Sequence, residues 1–230
     1  MFEAVVLAGG KGKRLKSITG DTPKPMVNIN GTPFLYLLMR RLESFGCKKI
    51  ILSLCYKADF IIERVNLDSP VKCEVSFSVE QKPLGTGGAI KQASKSVTSN
   101  NFLVLNGDTY LDIDYSSLIK QSKPLQNCIC LVKVNETGRY GKVELDSDER
   151  IISFTEKSQN GPGLVNSGAY VLNTKLIQNI EKEAFSFENE VLSNTYKDFC
   201  VEKVDVSFID IGIPEDYFKF CKLMRELEEK

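Results

Sequence analysis

Residues 2–8 (FEAVVLA) are apolar apart from one glutamate, and the run stops at a pair of glycines. Such a run, too short for a helix and bounded by glycine, predicts a strand buried on both faces. From Pro33 the period changes: Phe34, Leu38, Leu42 and Phe45 recur at helical spacing, and Gly46 is placed to end the helix. The alternation continues with a strand at 49–54, a helix at 58–66, a strand at 73–79, a helix from about 87 to 95 and a strand at 102–106. Strands alternating with amphipathic helices predict a parallel sheet covered by helices on both faces.

Beyond residue 113 the rhythm is less regular. A helix near 115–122 precedes strands near 128–134, 141–146, 151–155 and 165–172. Helices near 174–182 and 187–194 come next, then strands at 199–204 and 206–210 and a helix from Pro214 onward. Proline suits the first turn of a helix, where a missing N–H costs nothing. With no repeat, low-complexity tract or linker, the expectation is one α/β domain, 1–230, whose half 1–113 binds nucleotide and whose half 114–230 is irregular.

Composition narrows the chemistry. Thirty basic and thirty acidic residues cancel, which gives no electrostatic case for nucleic acid as a partner. No apolar stretch approaches the roughly 18 residues of a membrane span, and the N-terminus has no basic leader, so the expected compartment is the cytoplasm. Seven cysteines, an odd number without a CxxC pair and several inside apolar runs, predict buried free thiols. Histidine is absent, which removes imidazole acid–base catalysis, His-based triads and most zinc sites. Chemistry must therefore rest on carboxylates, lysines, arginines and backbone amides.

Those groups concentrate in a few motifs. VVLAGGKGKRL (5–15) is a glycine turn after a strand, but it lacks the third glycine of a dinucleotide fingerprint and the GxxxxGK[ST] of a Walker loop. Residues 16–32 are too rich in Pro, Gly and Thr for a crossover helix. What remains is a long glycine loop with Lys11, Lys13, Arg14 and Lys24 converging, which suits a triphosphate; a surface loop with incidental lysines is the alternative. Asp108 in NGDTYLDID and Asp210 in FIDIGIPEDY each end an apolar run. Ligands bind at such strand ends, and two carboxylates plus substrate phosphates can hold one Mg²⁺; alternatively each Asp merely caps the next element. In EQKPLGTGGA (80–89), Gly87 and Gly88 would let backbone amides approach a base or sugar, or simply make a tight turn.

Together LAGGKGKRL, TPKPM, PLGTGGA, NGD, EK, NSGAY and DIGIPEDY resemble the sugar-1-phosphate nucleotidylyltransferases over nearly the whole chain. The resemblance implies a single Rossmann-like, GT-A-like nucleotidyltransferase domain with a mostly parallel mixed central sheet flanked by helices. It also implies a reaction: a nucleoside triphosphate and a sugar 1-phosphate give a nucleotide-sugar and pyrophosphate. GTGGAI, RYG…VELD, FSFE and DIGIPEDY are most similar to the branch that transfers GMP from GTP to D-glycero-α-D-manno-heptose 1-phosphate, for surface glycans such as capsule or lipopolysaccharide.

Carried over residue by residue, the resemblance makes Gly9, Gly10 and Gly12 the phosphate loop, with Lys13 beside it. Arg14 contacts the triphosphate and Lys24 the α-phosphate. Leu7, Ala8, Gln81, Gly85, Thr86 and Gly87 frame the base, and Asp108 and Asp210 hold Mg²⁺. Lys157 holds the sugar phosphate, with Gly141, Glu156 and Asn166 near the sugar; residues 114–230 then become the sugar-phosphate half. Two departures stand out: Lys13 replaces the family's Thr or Ser, and Lys16-Ser17-Ile18-Thr19 stands where Pro-Leu-Thr is usual. A uridylyl- or thymidylyltransferase and a non-catalytic nucleotide-sugar sensor remain alternatives, and nothing in the sequence sets an oligomeric state.

Overall fold

The computed structural model describes residues 1–122, 126–155, 161–195 and 198–229. Strand β1 (Phe2–Leu7) runs into the glycine loop, a 3₁₀ turn at Lys13–Leu15 and the single-turn helix α1 (Lys16–Thr19). A second 3₁₀ turn, Lys24–Met26, leads to the small hairpin β2 (Asn28–Ile29) and β3 (Thr32–Pro33). Then come α2 (Phe34–Ser44), β4 (Cys47–Leu54), α3 (Ala58–Leu67), β5 (Glu74–Val79), α4 (Gly85–Ser94) and β6 (Asn101–Asn106). The remainder comprises β7 (Thr109–Leu111), α5 (Tyr115–Gln121), β8 (Cys128–Val134), β9 (Lys142–Leu145), β10 (Ile151–Thr155) and β11 (Gly163–Asn173). The chain continues through α6 (Thr174–Gln178), a π-helical turn at Phe187–Leu192, α7 (Ser193–Thr195), β12 (Cys200–Val204), β13 (Phe208–Asp210) and α8 (Pro214–Glu228).

One mixed sheet has the order β10-β9-β11-β6-β1-β4-β5, with β8 beside β11 and β12 beside β8. Strands β5, β4, β1 and β6 are parallel; β11 is antiparallel to its neighbours. The uninterrupted apolar runs follow from burial of both faces. Ala4, Val6, Ile50, Leu52, Leu103 and Leu105 pack towards α2 and α3, whereas Val5, Ile51, Phe102 and Val104 pack towards Ile90 and Ala93 of α4.

Near the start of β1, Glu3 is 1% exposed and accepts four hydrogen bonds, from the backbone N–H and the hydroxyl of both Thr98 and Ser99. It thereby ties β1 to the turn that precedes β6. None of the seven cysteines, all among the described residues, is joined in a disulfide. No helix among the described residues is long and apolar enough to cross a membrane.

Residues 16–32 hold no crossover helix, as expected: only the single turn α1, a 3₁₀ turn and the β2–β3 hairpin form there. Other expectations need correction. The helix expected at 174–182 ends at Gln178. The helix expected at 187–194 opens as a π turn, capped by Ser186 on the N–H of Asn189, with Phe187 against Tyr170 and Glu188 on Thr86. Strand β11 is longer than expected and changes neighbour midway: Leu164 and Val165 pair with β9, Ala169–Asn173 with β6. Gly168, at φ +73°, makes the break, and an ideal Cβ there would lie 2.3 Å from Nδ2 of Asn106.

Candidate active site

The carboxyl ends of β1, β4, β5 and β6 form the floor of a cavity of about 720 Å³. Period-two alternation explains its lining. Leu7, Ser53 and Asn106 continue the face of the sheet that carries Val5, Ile51 and Val104, so they point towards α4. The N-terminal turn of α4 contributes Gly85, Thr86 and Ala89, and the loops after β1 and β4 contribute Gly9, Gly10, Lys11, Cys55, Tyr56 and Lys57. Ala8 is buried behind the loop, its N–H bonded to the Ser53 carbonyl at 2.8 Å.

A smaller cleft of about 200 Å³ adjoins it, lined by Gly10, Gly12, Lys13, Arg14, Lys24, Asp108 and Gly212. Gly10 and Asp108 belong to both spaces. Gly12 has φ +59°, and an ideal Cβ there would sit 2.6 Å from the Cβ of Lys24. Only glycine lets the loop close so tightly over that lysine.

Lys24 is 7% exposed, held in its 3₁₀ turn between Pro23 and Pro25. Its Nζ lies 2.6 Å from Asp108 Oδ2 and 3.5 Å from Asp210 Oδ1. A two-stranded ribbon brings these distant aspartates together: β13 pairs antiparallel with β7, opposing Asp210 to Thr109, and the Ile211 N–H donates to the Asp108 carbonyl. Burial, and then the adjacent Asp108 carboxylate, push the Asp210 carboxyl above the ordinary aspartate value, against the pull of Lys24 and Arg14. Two carboxylates that repel each other across a shared space form a site that gains from a cation. Gly212 keeps this corner open, since an ideal Cβ there would meet Asp210 Oδ1 at 2.9 Å and Arg14 Nη2 at 3.2 Å.

Several residues expected at the site stand elsewhere. Gln81 is exposed and lies on the outer side of α4 with Lys82, Lys91 and Gln92, not in the large cavity. Gly87 faces away from it: its N–H and that of Gly88 donate to the Phe185 carbonyl, and an ideal Cβ on Gly87 would sit 2.1 Å from the Phe185 ring. The small-residue run therefore accommodates a protein segment over 183–187 on that side. Thr86 lines the cavity, but its hydroxyl donates to Glu188 and accepts from the Phe187 N–H. Gly141, just before β9, and Asn166 in β11 sit together, the Asn166 N–H donating to the Gly141 carbonyl, while the Asn166 amide donates to the Tyr170 hydroxyl at 2.6 Å. Neither lines the two clefts. Glu156 and Lys157 lie outside the described residues.

One lining residue was not singled out by its motif. Glu80, directly after β5, is 9% exposed, and its Oε2 accepts from the Leu84 N–H at 2.8 Å. The alternation in β5 is its signal: Val75, Phe77 and Val79 pack on one core, so Ser76, Ser78 and Glu80 turn to the α4 side. Burial raises the Glu80 carboxyl, opposed by the hydrogen bond from Leu84.

The arrangement provides a partly open cavity, a glycine loop, three basic side chains (Lys13, Arg14 and Lys24) and an aspartate pair whose Asp108 stands where the two clefts meet. A family model described as nucleotidyl transferase matches residues 3–226. The chain is 43% identical over 225 residues to D-glycero-alpha-D-manno-heptose 1-phosphate guanylyltransferase of Campylobacter jejuni, covering 95% of this chain and 98% of that protein. It is 38% identical to the protein of the same name from Aneurinibacillus thermoaerophilus, covering 96% and 97%. It is also similar to a crystal structure of HddC from Yersinia pseudotuberculosis complexed with GMP-PN, with TM-score 0.89, 48% identity and coverage of 97% of this chain and 100% of that one. The family match over nearly the whole length, on a site built as described, identifies the chain as a member of the nucleotidyl transferase family.

Proposed function

We propose that the chain transfers GMP from GTP to D-glycero-α-D-manno-heptose 1-phosphate, releasing pyrophosphate and giving a GDP-heptose for surface glycans. Relatives of that name at 43% and 38% identity support the sugar and the base. The observation that carries the reaction class is the Lys24–Asp108–Asp210 cluster, whose Asp108 stands at the rim shared by the two clefts. In this reading one domain has two halves, with residues 1–113 binding the nucleotide and 114–230 the sugar phosphate. The absence of disulfides among the seven cysteines and the need for GTP fit a cytoplasmic setting.

The attacking group is a phosphate oxygen of the sugar phosphate, already ionised at neutral pH, so a chain without histidine lacks nothing the step requires. That oxygen forms a bond to the α-phosphorus while the bond to the β-phosphate oxygen breaks, and pyrophosphate leaves with the electron pair. The protein must offset repulsion between two anions and align them; alignment contributes up to about 7–11 kcal/mol in favourable cases. Arg14 and Lys13 flank the smaller cleft, where they neutralise the departing phosphates, and Lys24 holds charge at the α-phosphate. The donor set of Asp108 and Asp210, with the Asp210 carboxyl pushed up by burial and then by the Asp108 carboxylate, fits Mg²⁺. When bound, Mg²⁺ supplies positive charge to the phosphate oxygens. Lys157 is proposed to hold the sugar phosphate, with Glu156, Asn166 and Gly141 near the sugar.

The test is a panel of GTP, ATP, UTP and dTTP against several sugar 1-phosphates, read by pyrophosphate release. GTP with the heptose 1-phosphate should give the highest kcat/KM. Highest turnover with another pair overturns the base or the sugar, and release with no pair favours a nucleotide-sugar sensor.

A further inference from the structure

Asp210 stands on a slight support. Strand β13 has three residues, and among the described residues its one strand neighbour is β7, in a ribbon outside the main sheet. Two strands alone are marginal, so something else must fix the carboxylate opposite Asp108. The turn between β8 and β9 reaches it. Tyr140 packs edge-to-face on Phe208, two residues before Asp210, with ring centroids 5.2 Å apart. Arg139 places its Cζ 5.6 Å from the centre of the Tyr140 ring and its Nη1 2.7 Å from Oδ2 of Asp216, in the first turn of α8. The two side chains therefore grip the chain on both sides of Asp210. Burial pushes the Tyr140 hydroxyl above its ordinary value, and Arg139, Asp216, Asp210 and Arg14 all act on it, which sets the ring beside the active-site charges.

None of Arg139, Tyr140, Phe208 and Asp216 lines either cleft of the active site; they line a separate outer cleft of about 660 Å³. Any part they play in the reaction must pass through Asp210. Resting on the reading of Asp108 and Asp210 as the Mg²⁺ pair, we propose that Arg139 is a positioning residue: by pairing with Asp216 and covering Tyr140, it fixes β13 so that Asp210 stays opposite Asp108. Without Arg139, the Asp216 carboxylate, in a residue 8% exposed, keeps Lys219 as its cation, 3.4 Å away on a side chain 71% exposed. An ion pair whose arginine is 39% exposed adds little to overall stability, so its loss should be felt at the site more than in unfolding. Lysine is a poor substitute, because an ammonium cannot pair with a carboxylate as a fork while lying flat on a ring.

GTP affinity is measured by calorimetry in Mg²⁺ and in EDTA, without sugar phosphate, and the ratio is the factor by which the metal strengthens binding. Wild-type protein should show such a factor, and Asp210→Asn should lose it. Arg139→Ala should lose most of it and about 10-fold in kcat, while its GTP affinity in EDTA and its melting temperature change little. Asp216→Asn should do the same, and the double variant should be no worse than either single one, since both break one pair. Arg139→Lys should restore part of each loss. Where Arg139→Ala folds poorly by circular dichroism, Asp216→Asn carries the comparison. A metal factor that Asp210→Asn loses and the Arg139 and Asp216 variants keep overturns the positioning role and leaves the metal pair standing. Losses that add in the double variant overturn the ion pair as the route. A factor absent from wild-type protein, or intact in Asp210→Asn, overturns the metal reading and with it the role of Arg139.

Discussion

Glu3→Gln is expected to lower stability at neutral pH by about 3 kcal/mol and to remove much of the chain's acid sensitivity. Burial alone would raise this carboxyl, but the bonds from Thr98 and Ser99 outweigh it and hold Glu3 at about 2, against an ordinary 4.5. Each pH unit of that gap corresponds to about 1.4 kcal/mol of preference for the ionised form in the folded chain. A depressed carboxyl stabilises fully above its unfolded value and loses the contribution as pH falls through the folded one, so the window runs from about 4.5 down to about 2. Glutamine keeps one acceptor oxygen and turns an NH₂ against donors that the carboxylate satisfied. Urea unfolding of both proteins, followed by circular dichroism from about pH 7 to about pH 2.5, should show the gap between them closing as acid is added. A gap that is constant across this range, or absent at neutral pH, refutes the reasoning. The consequence reaches the active site, because the ends of the tied strands carry the glycine loop and Asp108.

Asp108→Asn and Asp210→Asn should each lower kcat by about 10³-fold or more while leaving the melting temperature within a few degrees, and EDTA should mimic them in wild-type protein. Near-normal turnover of either variant with Mg²⁺ removes the metal assignment. Gly12→Ala should cost about 1–3 kcal/mol of stability, seen in urea unfolding, and weaken nucleotide binding, since the new methyl would meet Lys24 at 2.6 Å from a left-handed backbone. Lys157→Ala should raise KM for the sugar phosphate by about 10-fold or more with little change for GTP; equal changes in both would argue against its role.

Much of this architecture is legible in the sequence because its strongest signals are local. Burial on both faces makes β1, β4 and β6 continuous apolar runs, and Asp108 is visible as the polar residue that ends one of them. Asp210 is visible for the same reason, but its meeting with Asp108 depends on the β7–β13 ribbon, whose strands lie about a hundred residues apart. The glycine run at 85–88 illustrates the opposite case. Its composition suggests room for a base, whereas all three of its glycines make room for Phe185 and its neighbours, a partner that no local pattern could announce. Glu80 is hidden for a related reason: beside the more conspicuous Gln81, only the period of β5 tells which of the two turns inward. Lys13 lines the smaller cleft with Arg14, which places the least expected residue of the loop at the cleft proposed for the phosphates.

The central claim is that the Lys24–Asp108–Asp210 cluster serves transfer of a nucleotidyl group from the α-phosphorus of GTP. It is tested most directly by following label from [α-³²P]GTP and, separately, [γ-³²P]GTP in the presence of the heptose 1-phosphate and Mg²⁺. The account predicts α-label in the nucleotide-sugar and γ-label in pyrophosphate, in equal amounts and both lost in Asp108→Asn. γ-Label on the sugar, or in free orthophosphate with α-label left in GDP, would contradict it.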